Sequence, residues 1–384
     1  MIPLAEPTLG NVERRYVQEC LDSGFVSSVG PFVERFEHAF ARVIGTRHAV
    51  ACSSGTAALH VALRLAGAGP GTQVALSDFT FIASANAVSY TGADLLLVDS
   101  ERDTWNMNTE MLYDTVRYRA RTGRRIPDIV EVVHVLGHPA RMEPLLELRA
   151  EFGIRIVEDA AESLGAAWVA GKPAPARAGA IGDFGCFSFN GNKLITTGGG
   201  GMITTDDTER AAMAKHLTTQ ANTAGKYYVH DTVGYNYRLT NVAAALGLGQ
   251  LERLDDLLAA KREISARYGR ALHGLPASPP PHAPWADPTF WLYSVLLNDA
   301  SSTAAVVACL EGAGVHARPL WPPLHLQAPY RDVERLAGET AEELHGRGVS
   351  LPSSAHLSER DQERVVVSLR AALNSTHSRH DSAV

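Results

Sequence analysis

Cysteine is scarce and scattered: four residues in 384, at Cys20, Cys52, Cys186 and Cys309. With no CxxC spacing and no clustered histidine partners, neither a disulfide framework nor a thiolate zinc site is indicated, and no metal is expected. A reducing cytoplasm is the expected location. Also missing is any dense lysine and arginine stripe: charged residues make up 20% of the chain and the formal net charge is −7. Nucleic acid is therefore not an expected partner. No apolar run approaches the roughly 18 residues of a membrane helix. The opening MIPLAEPTLGNVERR has no basic stretch followed by an apolar one, so neither secretion nor membrane insertion is expected.

What is present is a chain long enough for a large domain and a smaller one. From Val50 onward, apolar runs of strand length alternate with segments of helical period, the pattern of strands joined by crossover helices. HAVACSSG, TQVALS, DLLLVD, DIVEVVHVLG and IRIVEDA read as strands, and TAALHVALRLAGAG, IASANAVSYTGA and EPLLELRAEFG as helices between them. GDFGCFSF and GGMITTDD read as two short strands around a loop. The expectation is an α/β doubly wound domain with a mostly parallel sheet over residues 1–246, its ligand sites beyond the strands' carboxyl ends. Residues 247–384 are expected to form a smaller α+β domain. There GLGQLERLDDLLAAKREISARYGRAL reads as one long amphipathic helix, PASPPPHAPWADP as a linker or exposed turn, and TFWLYSVLL as a strand. The polar tail, about the last ten residues, is expected to fray.

Three stretches carry candidate chemistry. SSGTAAL, Ser53 to Leu59, puts Ser54, Gly55 and Thr56 between a strand and a helix start, where backbone N–H groups and the helix dipole can hold an anion such as phosphate. An ordinary capped helix is the alternative, with Ser54 or Thr56 as the cap. In VEDAAESLGA, Asp159 directly follows the strand IRIV; it can cap a helix, bind a metal or pair with a cationic ring nitrogen. FSFNGNKLITTGGGG sets Lys193 before four glycines that allow close backbone approach to a bulky group, as a Schiff-base lysine needs. A surface lysine in a flexible loop is the alternative. Ser188 and Asn190 alternate to one side, which suits contacts to a phosphate.

Taken in order, SSGTAAL, DFTFIASANAV, VEDAAESLGA, FSFNGNKLITTGGGG and GYNYRLTNVAAALGLGQLE resemble the DegT/DnrJ/EryC1/StrS family of pyridoxal-phosphate-dependent sugar aminotransferases. The resemblance runs from Ile2 to about Tyr330. NGNKLITTGGGG, with DTWNMN and SGFVSSVGPFVERFE, is closest to the branch acting on UDP-linked 4-keto-6-deoxy-acetamido sugars, as in bacillosamine and legionaminic acid pathways.

The resemblance implies the fold-type-I, aspartate-aminotransferase-like architecture and a homodimer with shared active sites. Lys193 would carry the cofactor as an internal aldimine and then shuttle the proton, while Asp159 would keep the pyridine nitrogen protonated. Ser54, Gly55, Thr56, Ser188 and Asn190 would hold the phosphate end, and Phe81 would stack on the ring. Asn236 would reach the phosphate of the neighbouring subunit. Glu162 stands where many relatives have Gln beside the cofactor's phenolic oxygen, a departure familiar in that branch. Lys193 itself argues against the family's dehydratases, which carry His there.

Substrate contacts are expected from Ser28 and Val29 in FVSSVG, from Arg238, and from Arg318 and His325 in RPLWPPLH. L-glutamate is the expected donor, passing its amine through pyridoxamine phosphate to a keto sugar, most naturally nucleotide-linked. An antibiotic-pathway deoxysugar or keto-cyclitol is the alternative acceptor, and a non-catalytic sensor the alternative class.

Overall fold

The computed structural model describes residues 1–223, 228–299 and 303–381, with side chains to 375 at the C-terminal end. Helices α1 (Asn11–Ser23) and α2 (Pro31–Ile44) precede β1 (His48–Cys52). The chain then alternates through α3 (Gly55–Leu65), β2 (Gln73–Ser77), α4 (Ala83–Thr91), β3 (Asp94–Val98), α5 (Thr109–Arg121), β4 (Ile129–Val133), α6 (Glu143–Phe152) and β5 (Arg155–Asp159). Parallel neighbours need such crossovers. The short β6 (Ala167–Trp168) and β7 (Ala176–Arg177) lead into β8 (Phe184–Ser188) and β9 (Gly201–Thr205), followed by α7 (Thr208–Thr218), α8 (Asn241–Leu251) and α9 (Leu254–Ala271). The remainder holds β10 (Ala277–Ser278), β11 (Ala286–Asp287), β12 (Tyr293–Leu297), α10 (Thr303–Gly312), β13 (Arg318–Pro319), β14 (Glu334–Leu336), α11 (Thr340–Arg347), β15 (Gly348–Leu351) and α12 (Glu359–Asp381).

The main sheet has eight strands in the order β1-β9-β8-β5-β4-β2-β3-β14. From β8 to β14 every pairing is parallel, and β9 runs antiparallel to both β8 and β1. This is the mixed, mostly parallel sheet of an α/β fold. Strands β2 and β4 are buried along their whole length, as a sheet covered on both faces requires. A second sheet, β10-β12-β15-β13, is antiparallel, and β11-β6-β7 forms a third. Side-chain oxygens of Ser54, Asn108, Asp207 and Thr240 cap α3, α5, α7 and α8, satisfying N–H groups that have no partner inside the helix.

Three expectations change. The single long helix is two, α8 and α9. Arg253 leaves helical geometry (φ −109°, ψ 11°), and its guanidinium is drawn to Glu13 at 2.8 Å and to the Thr8 carbonyl. The division expected near residue 246 falls inside α8, and residues 334–336 supply β14 to the main sheet. The proline-rich stretch is not a bare linker, since it contributes β10 and β11. Helix α12 is described to Asp381, anchored by buried Val365, Leu369 and Leu373; the rest of the tail expected to fray lies outside the described residues. Among the described residues, no helix is long and apolar enough to cross a membrane.

Candidate active site

Strand alternation decides which side chains meet. Along β4, β5 and β8, one face carries Val133, Asp159 and Ser188 at its carboxyl ends, with Asp159 in register with Val133 and Cys186. These three line a cavity of about 400 Å³, together with Ser54, Gly55 and Thr56 from the start of α3 and Lys193 from the β8–β9 connection. Phe81, Glu162, Asn190 and Arg318 complete the set of expected residues on its wall.

Asp159 is buried, and its two oxygens are held separately. Ser84 Oγ donates to Oδ2 at 2.8 Å and the Ala161 N–H to Oδ1 at 3.1 Å. Burial raises its pKa against these bonds and against the charge of Lys193. The adjacent Glu158 points to the opposite face. It takes His134 Nε2 at 3.0 Å and the N–H groups of Gly179, Ile181 and Gly182, and these outweigh its burial and lower its pKa. It is thus committed to structure. Among the described residues no group of three or more His, Cys, Asp or Glu side chains could hold a metal ion.

Lys193 Nζ lies 3.5 Å from Glu162 Oε1 and 3.7 Å from the centroid of the Trp291 ring. Burial lowers its pKa, opposed by Glu162 and Asp159, which moves the amine toward the neutral form a nucleophile needs. Burial raises Glu162 in turn, although Lys193 and the Leu136 N–H (2.9 Å) act against this. The glycine run was expected to admit a bulky group. Gly199 and Gly200 do line the cavity. Gly201 serves packing instead, because a Cβ there would meet the Ser54 carbonyl oxygen at 2.3 Å.

Ser54 realises both readings at once: its Oγ caps α3 by accepting from Ala57 N at 3.0 Å, and it borders the cavity. The N-terminus of α3 therefore faces the cavity with its dipole positive, as a phosphate requires. Phe81 is half exposed at the mouth, 6.3 Å from Trp321.

Five expected residues do not reach this wall. Asn236 is exposed and bridges Thr219. Arg238 Nη2 donates to the Thr219 carbonyl at 3.4 Å, and its Nε is buried without a partner. Ser28 is half buried and Val29 exposed on the segment before α2. His325 is buried with its ring nitrogens on Asp78 (2.5 Å) and Glu342 (3.1 Å), so it fastens the chain after β13 to the segment after β2. Sequence reasoning missed Ser84, read only as part of a helix, and Trp291, read only as part of a strand.

A lysine and a buried carboxylate facing one cavity at the carboxyl ends of a mostly parallel sheet, with a helix N-terminus on the same wall, fit pyridoxal phosphate. The model of the DegT/DnrJ/EryC1/StrS aminotransferase family matches residues 7–370. The chain belongs to that family. The GDP-perosamine synthase of Caulobacter vibrioides is 40% identical over 376 residues, covering 97% of this chain and 98% of that protein. The GDP-perosamine synthase of Escherichia coli O157:H7 is 36% identical over 359 residues, covering 93% and 94%. Among solved structures, a DegT DnrJ EryC1 StrS aminotransferase from Brucella abortus superposes with a TM-score of 0.87 at 29% identity, covering 94% of this chain and 95% of that one. The family is pyridoxal-phosphate-dependent, and the chain is accordingly an aminotransferase that uses this cofactor.

Proposed function

We propose that the protein moves an amino group from L-glutamate to the keto group of a nucleotide-activated deoxysugar. The observation that carries this reading is the convergence of Lys193, Glu162 and Asp159 on one cavity bordered by the N-terminus of α3. Pyridoxal phosphate supplies an aldehyde that accepts the amine and a ring that accepts electrons. The chain supplies the rest. Asp159, its oxygens fixed by Ser84 and the Ala161 N–H, would hold a proton at the ring nitrogen. Ser54, Gly55, Thr56 and Ser188 would hold the phosphate, Phe81 would lie against the ring, and Lys193 would move the proton at the substrate carbon. Exposed Arg318, on the cavity wall, meets the glutamate carboxylate or the sugar diphosphate.

Asn236 serves the cofactor of a second subunit. The exposure of Asn236 away from its own cavity and the apolar Tyr228 and Val233, each more than 80% exposed, support a homodimer with shared sites. The names of the two relatives favour a guanosine-linked acceptor over the uridine-linked one that the sequence motifs suggested. The deciding experiment incubates holo-protein and glutamate with GDP- and UDP-linked 4-keto-6-deoxy sugars, 3-keto nucleotide sugars and free keto-cyclitols, with products read by mass. Amination of a GDP-linked sugar is expected. Turnover of a keto-cyclitol alone, or of nothing, overturns the reading.

A further inference from the structure

Trp291 touches the catalytic loop twice. Its ring face lies under the Lys193 ammonium at 3.7 Å, and its Nε1–H donates at 2.7 Å to the carbonyl of Asn192, the residue before that lysine. The indole is itself held from several sides. Its backbone N–H donates to the Leu136 carbonyl at 3.1 Å, and its ring stacks on Trp321, 6.4 Å away at 21°. The preceding Phe290 has φ 51°, a left-handed conformation that a bulky residue adopts only where surrounding contacts dictate it.

Beneath the tryptophan sits an unusual prop. Lys261 of α9 is buried, and its ammonium donates to the Trp291 carbonyl at 2.6 Å and to both the carbonyl and hydroxyl oxygens of Ser353. No carboxylate is among these partners, and burial brings its pKa down to about 7. A buried amine is costly, so three oxygens aimed at it mark a built site rather than a stray side chain. Lys193, Trp291 and Lys261 border the same small cavity of about 20 Å³.

We propose that the Trp291 ring is the resting platform of the Lys193 amine whenever that amine is free of the cofactor, and that Lys261 fixes the platform's height. The inference rests on Lys193 being the cofactor-bearing lysine. An amine that leaves the cofactor and must return a proton to a defined carbon needs one reproducible position. A π face offers this to an ammonium and remains neutral when the proton has gone. Glu162 alone would trap the charge. Trp291 and Lys261 are therefore positioning residues, acting through Lys193.

The test follows the titration of Lys193 in the full chain freed of cofactor, by the pH dependence of its reductive methylation read on the Lys193 peptide by mass. Trp291→Leu removes the platform, and the apparent pKa of Lys193 is expected to fall by about 0.4 to 1.5 units, the worth of a cation–π contact. Trp291→Phe keeps a π face but loses the tether to Asn192; most of the titration should return, with kcat still reduced. Lys261→Met should lower kcat several-fold in holo-protein with the KM for glutamate kept, and Lys261→Arg should restore part of it. If Trp291→Leu does not fold, the phenylalanine and Lys261 variants decide. The same Lys193 titration in every variant, or kcat indifferent to Lys261→Met, overturns the proposal. Borohydride fixation of the cofactor in wild-type holo-protein tests the underlying reading separately: an adduct away from Lys193 sinks that reading, whereas an adduct at Lys193 with unchanged titrations sinks only the platform.

Discussion

Replacing Glu131 by Leu should stabilise the protein, increasingly so as the pH rises. Glu131 lies on the cofactor face of β4, opposite Val157 and diagonal to Asp159 across the β4–β5 pair. It is fully buried, and neither carboxyl oxygen has a hydrogen-bond partner. Burial pushes its pKa well above the ordinary carboxylate range, with the Asp159 charge adding to the effect. A raised native pKa means that the folded state binds the proton more tightly than the unfolded chain does. The stability this gives is complete below the unfolded pKa of about 4.3 and is lost as the pH climbs through the native value. Leu carries no such penalty.

At pH 5 the variant should gain about 1–3 kcal/mol, the cost of an unpaired buried polar group. For each further pH unit up to the native pKa, the gap should widen by about 1.4 kcal/mol. Urea unfolding of the cofactor-free chain at pH 5.5, 6.5 and 7.5 measures the slope. Asp159 and Glu162, whose pKa values burial also raises, are present in both chains and largely cancel. Glu131→Gln, which also cannot titrate, should show the same widening relative to wild type but without the constant gain, because its amide remains unpaired. A difference between wild type and Glu131→Leu that is flat with pH, or a leucine variant less stable throughout, would refute the reasoning.

Other substitutions probe the site directly. Ser84→Ala removes the donor to Asp159 Oδ2 and raises the Asp159 pKa further, so kcat/KM should fall about tenfold and the acidic limb of its pH profile should move up; an unmoved limb means that this bond does not tune Asp159. A Cβ at Gly55 would meet Ser188 Cβ at 2.7 Å, so Gly55→Ala should force α3 and β8 apart and weaken cofactor binding by about tenfold or more, measured by equilibrium titration of the apo-protein. Lys193→Ala should abolish transamination. Mixing it with Asn236→Ala chains should restore some activity through hybrid dimers, and no recovery would count against shared sites.

Much of the main sheet was visible in the sequence because strands buried on both faces must be continuous apolar runs: TQVALS, DLLLVD and IRIVED became β2, β3 and β5 within a residue or two. The two-residue strands β6, β7, β10, β11 and β13 and the three-residue β14 have too few residues for a period to register, and only the folded chain supplies their partners. The cavity-lining residues from Ser54 to Lys193 stood out because they lie at or after the ends of strands, where the topology gathers ligands. Trp291 and Lys261 were not legible. In sequence Trp291 is one more apolar residue entering a strand, and Lys261 is an ordinary cation on an amphipathic helix; only tertiary packing turns them toward Lys193 and the Ser353 carbonyl. Glu131 did leave a trace, a charge inside DIVEVV, though helix or strand period alone gives it no meaning.

Lys193 is expected to bear the cofactor. Holo-protein treated with borohydride, digested and read by mass should carry one reduced pyridoxyl group on the peptide containing Lys193, and glutamate added beforehand should protect it. A modified lysine elsewhere, or an unmodified digest from protein shown to hold the cofactor, would contradict the account.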